Sequence, residues 1–234
     1  MHLFRLLKTA SPEANVLAIA ATVVLLCKIL ILNRYPPLFF GAYQIGIIVE
    51  AILASVVASY VFYLLVVHVK EISDREILRP YVEKHSKRVI GDCLSQISGI
   101  SKASDIALDF TTLTETDVFS AFEQIPPYSH APLLVSPHSN EHANWFQYFK
   151  HHSNRSKDSI RKLLDQLPFL DAAHVSIITE IDDCSHFSST NLLPNIQVRN
   201  KDLSVLAKSF YEYCLLCKKL DSHLMKSGFT SAAP

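Results

Sequence analysis

The 234-residue chain balances 22 Lys and Arg against 22 Asp and Glu, and 49% of its residues are hydrophobic, with a mean hydropathy of +0.20. Such a balance lacks the basic footprint of a general nucleic-acid binder, so direct binding of that kind is not expected. Five cysteines, at 27, 93, 184, 214 and 217, are odd in number and scattered, which argues against a disulfide framework.

Residues 1–13 form a short N-terminus with Arg5 and Lys8, followed by an apolar run over 14–32 whose one charge is Lys28. Asn33-Arg34-Tyr35-Pro36-Pro37 (33–37) separates it from a second run, 38–69, whose one charge is Glu50. A hydrocarbon core of roughly 30 Å needs about 20 apolar helical residues, because each span must satisfy its own backbone hydrogen bonds. Both runs meet that length. The chain therefore reads as a membrane protein, mainly α, with an N-terminal two-helix transmembrane hairpin.

Lys and Arg near span ends are retained in the cytoplasm. Arg5 and Lys8 precede the first span, and Lys70, Arg75, Arg79, Lys84, Lys87 and Arg88 follow the second, against Arg34 alone in the turn. Both termini are thus expected in the cytoplasm of a multi-pass inner-membrane protein. The first run is long for a signal peptide and no small-residue cleavage pattern follows it. Tyr35, Phe39, Phe40 and Tyr43 suit the outer interface, and Tyr60, Phe62 and Tyr63 the inner one.

A charge at membrane depth costs roughly 3 kcal/mol unless it is paired, hydrated or able to snorkel. Lys28 lies close enough to the turn to snorkel. Glu50 is deeper, so it must be protonated, pair with a group such as Lys28, or face water in an assembly. Ala42, Gly46, Glu50, Ala54 and Ala58 recur at every fourth residue, with Ser55 and Ser59 alongside, and Ala14, Ala18 and Thr22 offer a similar face on the first span. Small residues at that spacing let helices approach closely, either to close the hairpin or to join copies of it.

Residues 70–234 are expected to form one cytoplasmic α-helical bundle domain, near neutral with 18 basic and 20 acidic residues beyond position 69. Ser73-Asp74-Arg75-Glu76 has the form of a capping box and predicts a new helix there. Ile106–Phe110 reads as an irregular connector. Thr114-Glu115-Thr116-Asp117 opens a helix to about Gln124, and residues 126–139, with four prolines, read as a loop. Further helices are predicted over 140–151, 157–167, 169–184 and 201–226, the last capped by Asn200 and stopped by Gly228.

His138-Ser139-Asn140-Glu141-His142 has the H-x-x-E-H form of the inverted zinc peptidases. On a helix, His138 and His142 would share one face and hold zinc while Glu141 acts as base, with Glu180 or Glu212 completing the ligands. Short motifs match by chance often, and eleven histidines favour such a match, so neither metal nor cofactor is expected. His151-His152, near Lys150 and Arg155, suits an anion but reads better as a helix end. Cys214-x-x-Cys217 falls in mid-helix, where it lacks the helix N-terminus that activates a redox pair, and reads as buried core. No Walker loop, GxGxxG or nucleophile elbow is present, so no enzyme activity is expected.

With two spans, small-residue faces and a domain without visible catalytic groups, the chain resembles the two-transmembrane effector proteins of bacterial anti-phage systems. The nearest are those accompanying retron reverse transcriptases, followed by cyclic-oligonucleotide-activated membrane effectors. The resemblance implies an inner-membrane toxin, restrained by a reverse transcriptase–noncoding RNA complex or governed by a cyclic-oligonucleotide signal. Its release would cause abortive infection through self-association in the lipid bilayer. A membrane-anchored zinc peptidase and a non-toxic membrane scaffold or sensor are the alternatives.

Overall fold

In the computed structural model, which describes residues 11–35, 41–136, 141–192 and 199–226, the chain divides into two units, Met1–Ile77 and Leu78–Pro234. The architecture is mainly α.

In the first unit, α1 (Pro12–Leu30) starts where the Ser11 hydroxyl accepts the Ala14 N–H at 3.2 Å and Pro12 takes the first turn. Gly41, at a φ of 94° that disfavours other residues, leads into α2 (Ala42–Phe62). The two helices pack antiparallel. On α1, Ala14, Ala18, Ala21, Leu25 and Lys28 turn inward, and on α2, Gly46, Glu50, Leu53, Val57 and Tyr60 do. Steps alternating between four and three residues keep one seam facing a partner helix. Val16, Leu17, Ile19, Ile45, Ile48 and Ile52 point outward and are exposed. Two helices are long and apolar enough to cross a membrane, with mean hydropathies of 2.5 and 2.2 over their most apolar stretches.

The chain does not restart at Ser73 as the capping box predicts. It stays helical through a wide turn, Tyr63–His68, where the Val69 N–H reaches back to the Leu64 carbonyl, and continues as α3 (Val69–Ser104), with Pro80 inside it. A capping side chain is needed only where backbone N–H groups are unpaired, and Ser73 lies beyond the first turn of an established helix.

In the second unit, α3 from Leu78 onward is followed by the connector predicted over 106–110 and by α4 (Glu115–Glu123). Thr114 and Asp117 form a capping box at its start. Residues 126–139 are not simply a loop: β1 (His130–Ser136) pairs antiparallel with β2 (Glu141–Asn144) in an irregular ribbon. Pro132 is tolerated there because a two-stranded ribbon has open edges where a missing N–H breaks no ladder bond.

The helices predicted over 140–151 and 157–167 are one, α5 (Trp145–Leu164), capped by Asn144. The residues between the two predicted helices stay helical, with Ser153 accepting a hydrogen bond from Thr190, and Ser159 beyond them bonds back to the Arg155 carbonyl. The segment 169–184 begins with a short 3-10 turn, Leu167–Phe169, before α6 (Ala172–Asp182). A further helix, α7 (Ser185–Leu192), was not predicted, and α8 (Ala207–Lys226) begins later than position 201.

The core gathers Val89, Cys93, Ile97 and Ile100 of α3, Val118 and Phe122 of α4, Trp145 and Phe149 of α5, Ile178 and Ile181 of α6, Phe187 of α7, and Phe210, Cys214 and Leu220 of α8. Phe122 lies 6.0 Å from Phe149 and 5.4 Å from Phe210, ring centre to ring centre. Gly99 lets α3 approach the ribbon, since a Cβ there would meet Tyr148 Oη at 2.9 Å and Pro132 Cγ at 3.1 Å.

Candidate functional site

Antiparallel packing in the first unit brings the two lone charges of the apolar helices together: Lys28 Nζ lies 2.6 Å from Glu50 Oε2. Gly46, one turn before Glu50, makes room for the lysine stem, whose Cε is 3.4 Å from where a Cβ would stand. The ammonium side chain is 13% exposed and the carboxylate side chain 38%, so the pair sits at the rim of the seam. Towards the other end, the Tyr60 hydroxyl donates to Asn15 Oδ1. Ala14, Leu17, Ala18, Ser55, Val56, Ser59, Tyr60 and Tyr63 line a cleft of about 330 Å³ there.

The row recurring at every fourth residue does not stay on one face. Four residues turn an α-helix by more than a full circle, so such a row winds round it. Ala42, Gly46 and Glu50 are half-buried, whereas Ala54 and Ala58 are exposed. Ala54 and Ala58 are thus free of the hairpin's own seam.

The H-x-x-E-H string is not a helical motif. His138 lies outside the described residues, and Glu141 and His142 belong to strand β2, where i and i+4 do not share a helix face. His142 Nδ1 is 3.3 Å from the Ala131 carbonyl, and its ring packs edge-on against His130. Glu180 is held by Lys219 at 2.8 Å and Glu212 accepts from Ser185 at 3.2 Å. Among the described residues, no group of three or more His, Cys, Asp or Glu side chains is placed to hold a metal ion.

Along α3, the second unit contains a buried polar network that sequence reasoning missed. Asp92, fully buried, accepts from Arg155 Nη2 at 2.7 Å, His152 Nδ1 at 3.2 Å and Ser156 Oγ at 3.3 Å. His152 and Arg155, which suited an external anion, therefore serve a carboxylate of the protein itself. One turn on, Gln96 donates to the Asp92 carbonyl and accepts from His186 Nε2 at 3.2 Å. That contact fixes the proton of His186 on Nε2 and leaves Nδ1 as a bare lone pair among Phe149, Phe210 and Tyr213. Burial holds the His186 pKa down to about 3, and burial followed by the Asp92 charge raises that of Tyr148 to about 12. Ser86 bonds His174 Nε2 at 3.1 Å.

Cys93 and Cys214 meet at 3.6 Å in the core, and Cys217 is buried with them. Burial pushes the Cys93 thiol well above its ordinary range, so it is a poor nucleophile. All five cysteines are free, and both members of the C-x-x-C are core residues.

No protein-family model, curated protein or solved structure matches the chain.

Proposed function

We propose that the chain is a bacterial inner-membrane effector of antiviral defence that acts by self-association rather than catalysis. The hairpin crosses the bilayer twice with both termini in the cytoplasm. A partner complex restrains the protein until infection, and its release lets hairpins cluster and damage the membrane, causing abortive infection.

The observation that carries this reading is the charge pair at the rim of an otherwise apolar hairpin. Outward apolar side chains such as Val16, Ile19, Ile48 and Ile52 suit lipid. Lys28 and Glu50 neutralise each other while a hairpin stands alone, and the carboxylate remains partly accessible. Exposed Ala54 and Ala58 let a second hairpin approach closely, because small residues admit backbone contact. Two helices enclose no water, but several hairpins with such pairs turned inward would line a wetted path.

Expression of the full chain alone in a bacterium tests the reading. Growth arrest, entry of a membrane-impermeant dye and loss of membrane potential are expected, with rescue by Glu50→Leu or Gly46→Leu. An unchanged potential at high expression refutes the effector reading and leaves a scaffold or sensor.

A further inference from the structure

One to two turns before Asp92 along α3, the antiparallel pairing of α3 and α5 builds a second polar site. Tyr148 donates to the Ser95 carbonyl at 2.8 Å, and His152 and Arg155 reach Asp92. As α5 advances, its partners on α3 recede, and Lys162 of α5 comes near enough to His85 for its charge, with those of Arg88 and Lys84, to act on the imidazole. We propose that Lys84, Arg88 and Lys162, grouped around His85, bind a phosphoryl anion. The source is either a soluble phosphate compound or an anionic lipid headgroup.

Several observations converge on this site. The three cations are exposed, and none has a carboxylate partner among the described residues. Two acidic groups close to them in sequence are engaged, Glu83 by Lys87 at 2.5 Å and Asp158 by Arg161 at 3.9 Å. Lys84 and Arg88 stand one helical turn apart, so both can reach one ligand, and Lys162 joins from the neighbouring helix.

His85 is only 5% exposed, and its Nδ1 is buried without a hydrogen-bond partner. Buried polar groups are nearly always paired, and an exception points to a ligand or solvent contact. The Tyr81 ring, 4.5 Å from the imidazole, walls the site on the α3 side. Burial depresses the His85 pKa first, and then Lys162, Arg88 and Lys84, with no acidic group opposing them. The local field is therefore positive, which suits a doubly charged oxyanion held by charge-assisted hydrogen bonds. This inference does not depend on the effector reading, since it concerns one face of the second unit.

The full chain in phosphatidylcholine nanodiscs, probed with inorganic pyrophosphate, tests one source. The same chain in nanodiscs doped with phosphatidylglycerol tests the other. Thermal unfolding, followed through the buried Trp145, should shift upward in at least one arm. Pyrophosphate stabilisation identifies a soluble ligand, and stabilisation by phosphatidylglycerol alone identifies a headgroup. Lys162→Gln and Arg88→Gln, both surface changes, should each weaken binding about tenfold, the equivalent of one charge-assisted bond. Lys87→Gln should leave binding unchanged. No shift in either arm, an equal shift with chloride at matched ionic strength, or full binding by Lys162→Gln overturns the proposal.

Discussion

Lys28 reaches Glu50 across the seam of the N-terminal hairpin at 2.6 Å, over the bare Cα of Gly46. In the proposed transmembrane hairpin each of these two charges offsets the other. Lys28→Ala leaves Glu50 as a lone charge, about 3 kcal/mol against insertion, whereas Glu50→Ala leaves a lysine that can snorkel and costs less. Exchanging the two, Lys28→Glu with Glu50→Lys, restores the pair. Carbonate extraction of membranes should show less inserted protein for Lys28→Ala, a smaller loss for Glu50→Ala, and recovery in the exchange.

Asp92 is held by Arg155, His152 and Ser156 with no exposed surface of its own. Arg155→Gln leaves the fully buried Asp92 carboxylate without its cationic partner and should cost about 3 kcal/mol or more. Asp92→Ala should cost less, because the Arg155 side chain it releases is half exposed and can turn to water. Urea unfolding of the full chain in detergent, read by Trp145 fluorescence, measures both.

Gly99→Ala would drive a methyl group to 2.9 Å from Tyr148 Oη, itself bonded to the Ser95 carbonyl. Overpacking of this kind costs about 1–3 kcal/mol. Tyr148→Phe removes the obstructing hydroxyl. The double variant should therefore be more stable than the sum of its parts, as contacting residues couple.

His186 has a folded pKa of about 3 against an ordinary value of 6.5, so the unfolded chain binds the proton first. Stability should then be full above pH 6.5 and fall on acidification towards pH 3, by roughly 2 kcal/mol at pH 5. His174 and His85 are depressed by burial as well and act in the same direction. His186→Phe should flatten the slope of unfolding free energy between pH 6.5 and pH 5.

The apolar hairpin segments and the capping box at Thr114 are plain in the sequence because each rests on local chemistry, a long apolar run or a side chain three residues from its partner. The meeting of Lys28 with Glu50 is also legible, since only five residues of sequence separate the two apolar runs and each run carries a single charge. The Asp92 network is not, because His152, Arg155 and Ser156 lie some sixty residues away and only tertiary packing selects them. The same holds for Lys162 beside His85. The H-x-x-E-H string misleads for a related reason: helical spacing carries meaning only on a helix, and β1 draws Glu141 and His142 into a ribbon. Ala54 and Ala58 share a sequence interval with Gly46 yet leave its face, because an interval of four slightly overshoots the helical turn.

Cys93, Cys214 and Cys217, packed where α3 meets α8, have no solvent-accessible surface, whereas Cys27 is exposed on the hairpin. An alkylating reagent can reach the sulfurs of Cys93, Cys214 and Cys217 only during moments when those helices part. Their rate of modification therefore counts spontaneous separations of α8 from α3, giving the folded protein an intrinsic gauge of its own breathing.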